Sequence, residues 1–122
     1  MSQEELHIDI KREADATVFS LQGSLDLATS PAVRAALVDA AGSGAHDMIV
    51  DLTGLEFLDS TGLGALIGAQ RRALEQSGRV RLVVTEGPIS RLLNITGLVR
   101  IFSVYRTLDA ARHDHDRVVA TI

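Results

Sequence analysis

No cysteine occurs among the 122 residues, which excludes a disulfide framework, thiolate chemistry and a cysteine-ligated metal site. Aromatic residues make up only 3% of the chain, too few for the stacking surfaces that read single-stranded RNA. The formal net charge is −4, so the basic surface typical of a nucleic-acid or anionic-membrane binder is missing. No apolar run approaches the roughly 20 residues of a membrane span, and the charged N-terminal segment lacks a signal-peptide core. We therefore expect a cytoplasmic protein with no direct nucleic-acid or membrane partner.

Hydrophobic residues, in contrast, make up 46% of the chain, which indicates a globular domain with one core. Alternating apolar residues indicate half-buried strands, and apolar residues spaced by three and four indicate helical faces. The order of predicted elements is ββαβαβαβα, which favours an α/β fold: a mixed, mostly parallel sheet of about five strands with four helices. The strands are expected at 6–10, 17–21, 48–52, 80–84 and 101–105, and the helices start near 31, 60, 88 and 108.

Several local features follow from the same pattern. The first two strands are predicted to form an antiparallel hairpin, and the third and fourth to lie parallel. A loop over 23–29 leads to Ser30 and Pro31, which are typical of a helix N-cap and first helical residue. We assign residues 1–112 to one domain and 113–122 to a C-terminal tail. The buried face of the second helix is predicted to carry Leu63, Leu66, Ile67 and Leu74.

The stretch FLDSTGLGALIG, residues 57–68, is the strongest candidate for a functional site, because an Asp-Ser-Thr triplet lies where a loop becomes a helix N-terminus. Backbone N–H groups there lack partners, and the helix macrodipole favours negative charge. The hydroxyl of Ser60 is therefore open to three roles: N-cap (a role that Asp59 could fill equally), nucleophile, or acceptor of a phosphate.

Three catalytic or ligand-binding alternatives find little support in the residues. A G-x-S-x-G elbow is absent around Ser60, and none of the histidines at positions 7, 46, 113 and 115 is placed to activate it. The glycines at 62, 64 and 68 have the spacing G-x-G-x-x-x-G and lie inside the helix, unlike a dinucleotide motif. The run His-Asp-His-Asp at 113–116 is interpreted as solvated tail. We predict no catalytic residue, no metal site and no cofactor.

A surface for a partner is better supported. Gly62, Gly64 and Gly68 weaken the start of the helix by about 1 kcal/mol each relative to alanine, and they predict a flat stripe on which another backbone could lie. Asp26 belongs to the loop after the second strand, and Asp59 to the loop after the third. If these strands are parallel neighbours, both carboxylates flank Ser60 at one end of the sheet.

The residues also resemble a known family. DSTGLG at 59–64 and ITGL at 95–98, supported by GSLD at 23–26, are similar to the bacterial anti-sigma factor antagonists of the STAS domain family. The resemblance extends from about Leu6 to Ala111. Members usually carry a second acidic residue where this chain has Ser24.

The resemblance implies a non-enzymatic regulator. Its partner would be an anti-sigma factor with serine kinase activity, whose binding releases the sigma factor. That kinase would phosphorylate Ser60 (Thr61 is the less favoured neighbour), phosphorylation would abolish binding, and a serine phosphatase would reverse it. The partner-binding residues carried over are Asp26, Asp59, Ser60, Thr61, Gly62, Leu63 and Gly64.

Two other functions stay open on the sequence. The chain is alternatively a STAS interaction module of another signalling complex, such as a sensor or transporter, in which the serine is a cap or a nucleotide contact. The other is a small serine-dependent hydrolase, which the absence of a G-x-S-x-G elbow and of a base near Ser60 disfavours.

Overall fold

A five-stranded sheet, in which the strands lie side by side in the order of the sequence, forms the centre of the molecule. The computed structural model describes residues 6–119. A 3₁₀ turn at Leu98–Arg100 precedes the last strand. The strands are β1 (Leu6–Arg12), β2 (Thr17–Leu25), β3 (Asp47–Leu58), β4 (Arg79–Val83) and β5 (Ser103–Tyr105), and the helices are α1 (Ser30–Gly42), α2 (Ser60–Glu75), α3 (Pro88–Ile95) and α4 (Leu108–Arg112).

The topology confirms the predicted fold class and element order. β1 is antiparallel to β2, and β2, β3, β4 and β5 are parallel to one another. The two faces of β3 pack into two separate hydrophobic clusters. Val50 belongs to the cluster under α1, α2 and α3. Ile49, on the opposite face, packs with Tyr105 of β5 and Ala111 of α4. Burial on both faces explains why β3 begins as a continuous apolar run.

β2 and β3 are longer than the sequence predicts. The segment 23–25, expected as loop, continues β2, and β3 runs to Leu58 instead of ending at Leu52. The two strands remain paired through register shifts at Ser20/Gln22 and Gly23/Ser24. A Cβ at Gly54 would lie 2.8 Å from the carbonyl oxygen of Leu21, so glycine permits this close pairing. The irregular register removes the alternation by which a strand is recognised.

Three other local expectations are wrong. Ser30 is 1% exposed and begins α1, and the N-cap residue is Thr29. Leu74 is 59% exposed. Ala73 and Gln70 occupy the buried face of α2 there instead. The side-chain amide of Gln70 donates to the Ile101 carbonyl at 2.9 Å and accepts from the Val80 N–H at 2.8 Å. β5 begins only at 103, because the residues before it form the 3₁₀ turn and a bend.

The chain beyond α4 contacts the domain. The carboxylate of Asp114 accepts hydrogen bonds from the Tyr105 hydroxyl and from the Arg79 guanidinium. The N–H of Val118 donates to the carbonyl of Val104 at 2.7 Å. The division at 112 stays a prediction, and part of the expected tail, 114–118, is attached to the sheet. None of the helices in the described range 6–119 combines the length and apolar character needed to cross a membrane.

Candidate functional site at the ends of β2 and β3

The pairing of β2 with β3 brings two loops together. Leu25 is the register partner of Leu58, and the N–H of Asp59 donates to the Leu25 carbonyl at 3.2 Å. Because the strands are parallel, the loops that begin at Asp26 and Asp59 leave the same end of the sheet. The expected proximity of these loops is therefore present in the fold.

Asp59 is the N-cap of α2. Its backbone is extended, with φ −111° and ψ −175°, and its carboxylate accepts from the N–H of Gly62 at 3.0 Å. Its own carbonyl accepts from Leu63 N–H at 3.0 Å, which closes the first helical turn. Of the two cap candidates in the sequence, the structure selects the aspartate.

Ser60 is thus the first residue of α2, and it is exposed. No hydrogen bond within the described residues engages its hydroxyl. The hydroxyl lies at the positive end of the helix macrodipole, where an anion is favoured. Thr61 follows it and is half-buried. The serine is therefore free of a capping role and accessible to another molecule.

Asp26 organises the neighbouring loop. Its carboxylate accepts from the N–H groups of Ala28 and Thr29 at 3.0 and 3.1 Å. The hydroxyl of Thr29 donates to the Ser24 carbonyl at 2.7 Å and accepts from the Asp26 N–H at 2.9 Å. These local bonds are typical of an aspartate turn. They fix the position of a half-buried carboxylate at the end of the sheet that carries Ser60.

The three glycines of α2 do not form one surface. A Cβ at Gly62 would lie 2.7 Å from side-chain carbons of both Leu25 and Leu58, so this glycine is needed for packing. At Gly64 and Gly68 an added Cβ meets no atom within 4 Å. Leu63 belongs to the core. The residues carried over from the family that are open to direct contact are therefore Asp26, Asp59, Ser60, Thr61 and Gly64.

Two exposed apolar residues beside this group are missing from the sequence-based prediction. Leu27 follows Asp26 and is 74% exposed, and Phe57 precedes Leu58 and is 51% exposed. Large exposed apolar side chains next to fixed polar groups are typical of an interface. The signal for Leu27 was present, since a leucine inside a polar turn cannot belong to a periodic core face.

The other chemistry-bearing residues lie elsewhere. His46 immediately precedes β3, at the opposite end of this strand from Asp59. His113 is the C-cap residue after α4, and its ring nitrogen Nδ1 contacts the carbonyl of Asp109 at 3.0 Å. Within residues 6–119 no group of three histidine, aspartate or glutamate side chains is arranged to hold a metal ion.

The fold and site define a class: a small α/β domain with an exposed serine at a helix start and an aspartate in each of the two loops at that end of the sheet. Residues 7–111 match the model of the STAS domain, and the chain belongs to the STAS family. This confirms the resemblance found in the sequence.

Its relatives are anti-sigma factor antagonists. The chain is 30% identical over 99 residues, 81% of its length and 90% of the relative's, to the anti-sigma-B factor antagonist of Bacillus subtilis. A solved anti-sigma factor antagonist from Mycobacterium paratuberculosis matches with a TM-score of 0.85 and 26% identity, over 93% of this chain and 96% of that one.

The same fold occurs in the anti-sigma factor antagonist SpoIIAA, a Bacillus cell fate determinant solved in two forms, each 23% identical to this chain. The unphosphorylated form matches with a TM-score of 0.70 over 88% of this chain and 96% of that one. The phosphorylated form matches with 0.69 over 89% and 100%.

Proposed function

We propose that this protein is a cytoplasmic, non-enzymatic anti-sigma factor antagonist controlled by phosphorylation of Ser60. The unphosphorylated form binds an anti-sigma factor that is also a serine kinase, and thereby releases the sigma factor. Phosphate on Ser60 abolishes that binding, and a serine phosphatase restores it. The names of the relatives support the partner class, and the existence of a phosphorylated SpoIIAA supports the control.

The observation that carries the proposal is the accessible hydroxyl of Ser60 on the first residue of α2. The cap of the helix is already supplied by Asp59 through its 3.0 Å bond to Gly62 N–H. A phosphate on Ser60 therefore replaces no structural bond. It lies near helix N–H groups that lack backbone partners, and the macrodipole stabilises its charge. The domain is suited to carry the modification without a change of fold.

The phosphate acts on the binding of the partner. A phosphate adds about −1.5 to −2 charges at neutral pH. It would join the carboxylates of Asp26 and Asp59 in a surface that also contains exposed Leu27 and Phe57. An apolar, desolvated interface does not tolerate such an uncompensated dianion. The physical basis of the switch is therefore at the interface, with the apolar pair as the main contact in the unphosphorylated state.

Phosphate transfer to Ser60 is tested with the purified protein, the anti-sigma factor kinase of its own cell and ATP. We expect incorporation of one phosphate, mapped to Ser60 by mass spectrometry and lost in Ser60→Ala. Thr61→Ala is the matched control and should be modified like the wild type. Undiminished incorporation into Ser60→Ala would place the acceptor elsewhere.

The partner itself is tested by co-purification from the native cell. Recovery of an anti-sigma factor with the unphosphorylated protein, and its absence with the phosphorylated protein, is the expected result. A stable partner without kinase activity, bound equally by both forms, would favour the alternative of a STAS module in another signalling complex.

A further inference from the structure

A cleft of about 120 Å³ lies between α1 and α2, away from Ser60 and its loops. Its floor is apolar and buried: Met48 of β3 is 1% exposed, Leu37 of α1 is 2% exposed and Ala65 of α2 is 2% exposed. For comparison, an engineered apolar cavity of about 150 Å³ accommodates benzene. The cleft is therefore close to the size of one aromatic ring.

Gly68 keeps this cleft open. Small residues between helices usually allow the backbones to approach closely. Here a Cβ added at Gly68 would meet no atom within 4 Å, although the residue lines the cleft. The glycine therefore leaves space that the neighbouring helix does not fill. A larger side chain at this position would occupy the cleft.

Two cations flank the apolar floor. Arg34 of α1 and Arg72 of α2 line the cleft, and neither has a hydrogen bond or ion pair within the described residues. Arg79 and Arg112, in contrast, are paired with Asp114 and Glu13. Guanidinium groups bind carboxylates through two parallel hydrogen bonds. The two free arginines therefore make the cleft complementary to an anion.

The arginines lie at different levels of the cleft. On each helix the lining residues extend over eight positions, 34–41 and 65–72, and the seven steps between the first and the last rise about 10 Å at 1.5 Å per residue. Both helices connect neighbouring parallel strands and pack on the same core, so they run in the same direction. Arg34 is at the start of its span and Arg72 at the end of its own. A ligand with an apolar body in the cleft would present its anionic group to the guanidinium at one end.

We propose that the cleft between α1 and α2 binds a small organic acid, with a carboxylate on an apolar body about the size of one aromatic ring. Met48, Leu37 and Ala65 contact the apolar body, and the carboxylate binds the guanidinium of Arg34 or that of Arg72, according to which way round the acid lies in the cleft. This site is independent of Ser60 and of the proposed partner.

Benzoate is the probe for this site, and benzamide is its neutral match. In an NMR titration of the full chain we expect saturable shifts of the backbone amides at 37–41 and 65–69 with benzoate. Benzamide should bind at least tenfold more weakly. Arg34→Gln and Arg72→Gln should each weaken benzoate binding, and the double variant should weaken it by at least tenfold. Arg71→Gln makes the same charge change on α2 outside the cleft and should leave the affinity unchanged.

A steric variant gives an independent readout. Gly68→Leu should abolish benzoate binding and leave the thermal melting temperature equal or higher, because leucine fills the cleft and favours the helix. Unsaturable shifts spread over the surface, or equal affinity of the double arginine variant and the wild type, would overturn the site. Failure of benzoate to bind would also overturn the proposal. If Gly68→Leu then weakened the binding of the anti-sigma factor, the cleft would hold a protein side chain instead.

Discussion

A methyl group at position 62 would collide with Leu25 and Leu58, whereas one at position 64 would point into open space. Gly62→Ala should therefore destabilise the protein by about 1–3 kcal/mol, the usual cost of overpacking. Gly64→Ala should stabilise it by up to about 1 kcal/mol, because alanine is the better helix former. Urea denaturation of the two variants checks this. Equal losses in both would show that the start of α2 packs differently.

The roles of Asp59 and Ser60 can be separated in the same way. Asp59→Ala removes the acceptor of the Gly62 N–H and should cost about 0.5–2 kcal/mol of folding free energy. Asp59→Asn keeps a good cap and should cost much less. Ser60→Ala should change stability little, because the hydroxyl caps nothing. A loss in Ser60→Ala as large as in Asp59→Ala would contradict this assignment.

Glu13 provides a prediction for pH dependence. The pKa of Glu13 is lowered, chiefly by hydrogen bonds from the Arg112 guanidinium at 3.0 and 2.8 Å, while desolvation opposes the shift. A carboxylate with a depressed folded-state pKa stabilises the protein above its unfolded pKa, and this contribution is lost as the pH falls through the folded pKa.

Arg112→Gln should therefore raise the pKa of Glu13 towards its ordinary value and flatten the loss of stability on the acid side. Carbon NMR titration of the Glu13 carboxyl measures the first effect, and denaturation between neutral and acid pH measures the second. Arg71→Gln, which has no bond to Glu13, is the control. A Glu13 pKa that is the same in Arg112→Gln and the wild type would refute the ion pair in solution.

At the scale of elements, short-range sequence patterns predicted those features that depend on neighbouring residues alone. The predicted helix starts near 88 and 108 are confirmed, since α3 begins at Pro88 and α4 at Leu108. Thr107 caps α4 by accepting from the Ala110 N–H at 3.0 Å. The extension of β3 to Leu58 could not be predicted, since it depends on irregular pairing with β2. The inward position of Gln70 likewise depends on distant backbone partners at Val80 and Ile101. Tertiary contacts override local preference in these cases.

The candidate site, likewise, could be predicted from the sequence only in part. The meeting of the Asp26 and Asp59 loops followed from strand order alone, because parallel neighbours end at one edge. The choice of Asp59 over Ser60 as cap required the helix start to be known to one residue. The separation of Gly62 from Gly64 required the positions of Leu25 and Leu58, which the sequence does not encode locally.

The segment after α4 is predicted to act as a structural element. Ending the chain at Arg112 removes the carboxylate of Asp114, which accepts from Tyr105, a residue whose side chain is buried under α4. An unsatisfied buried polar group costs about 1–3 kcal/mol. The truncated chain should melt earlier, and Asp114→Ala should reproduce much of the loss. A chain ending at Val119 keeps these contacts and serves as control. Equal melting of the two truncated chains would show that 113–119 is a free tail.

At the scale of the whole molecule, the proposed switch requires that partner binding change while the fold does not. Within this chain, Ser60 is exposed and uninvolved in the cap, so its modification breaks no bond of the described structure. This placement supports a domain that keeps its fold while its surface changes.

Phosphorylation of Ser60 should therefore leave the melting temperature and amide hydrogen exchange nearly unchanged outside residues 57–64. Affinity for the anti-sigma factor should fall at least tenfold, about 1.4 kcal/mol, which is modest for a desolvated charge mismatch. Ser60→Asp should reproduce the effect weakly, because one carboxylate has less charge and bulk than a phosphate. Calorimetry and hydrogen exchange on the same phosphorylated sample measure both effects. Loss of exchange protection throughout α2 would show instead that the switch is a folding transition, since a change confined to the interface cannot release the hydrogen bonds of a distant helical turn.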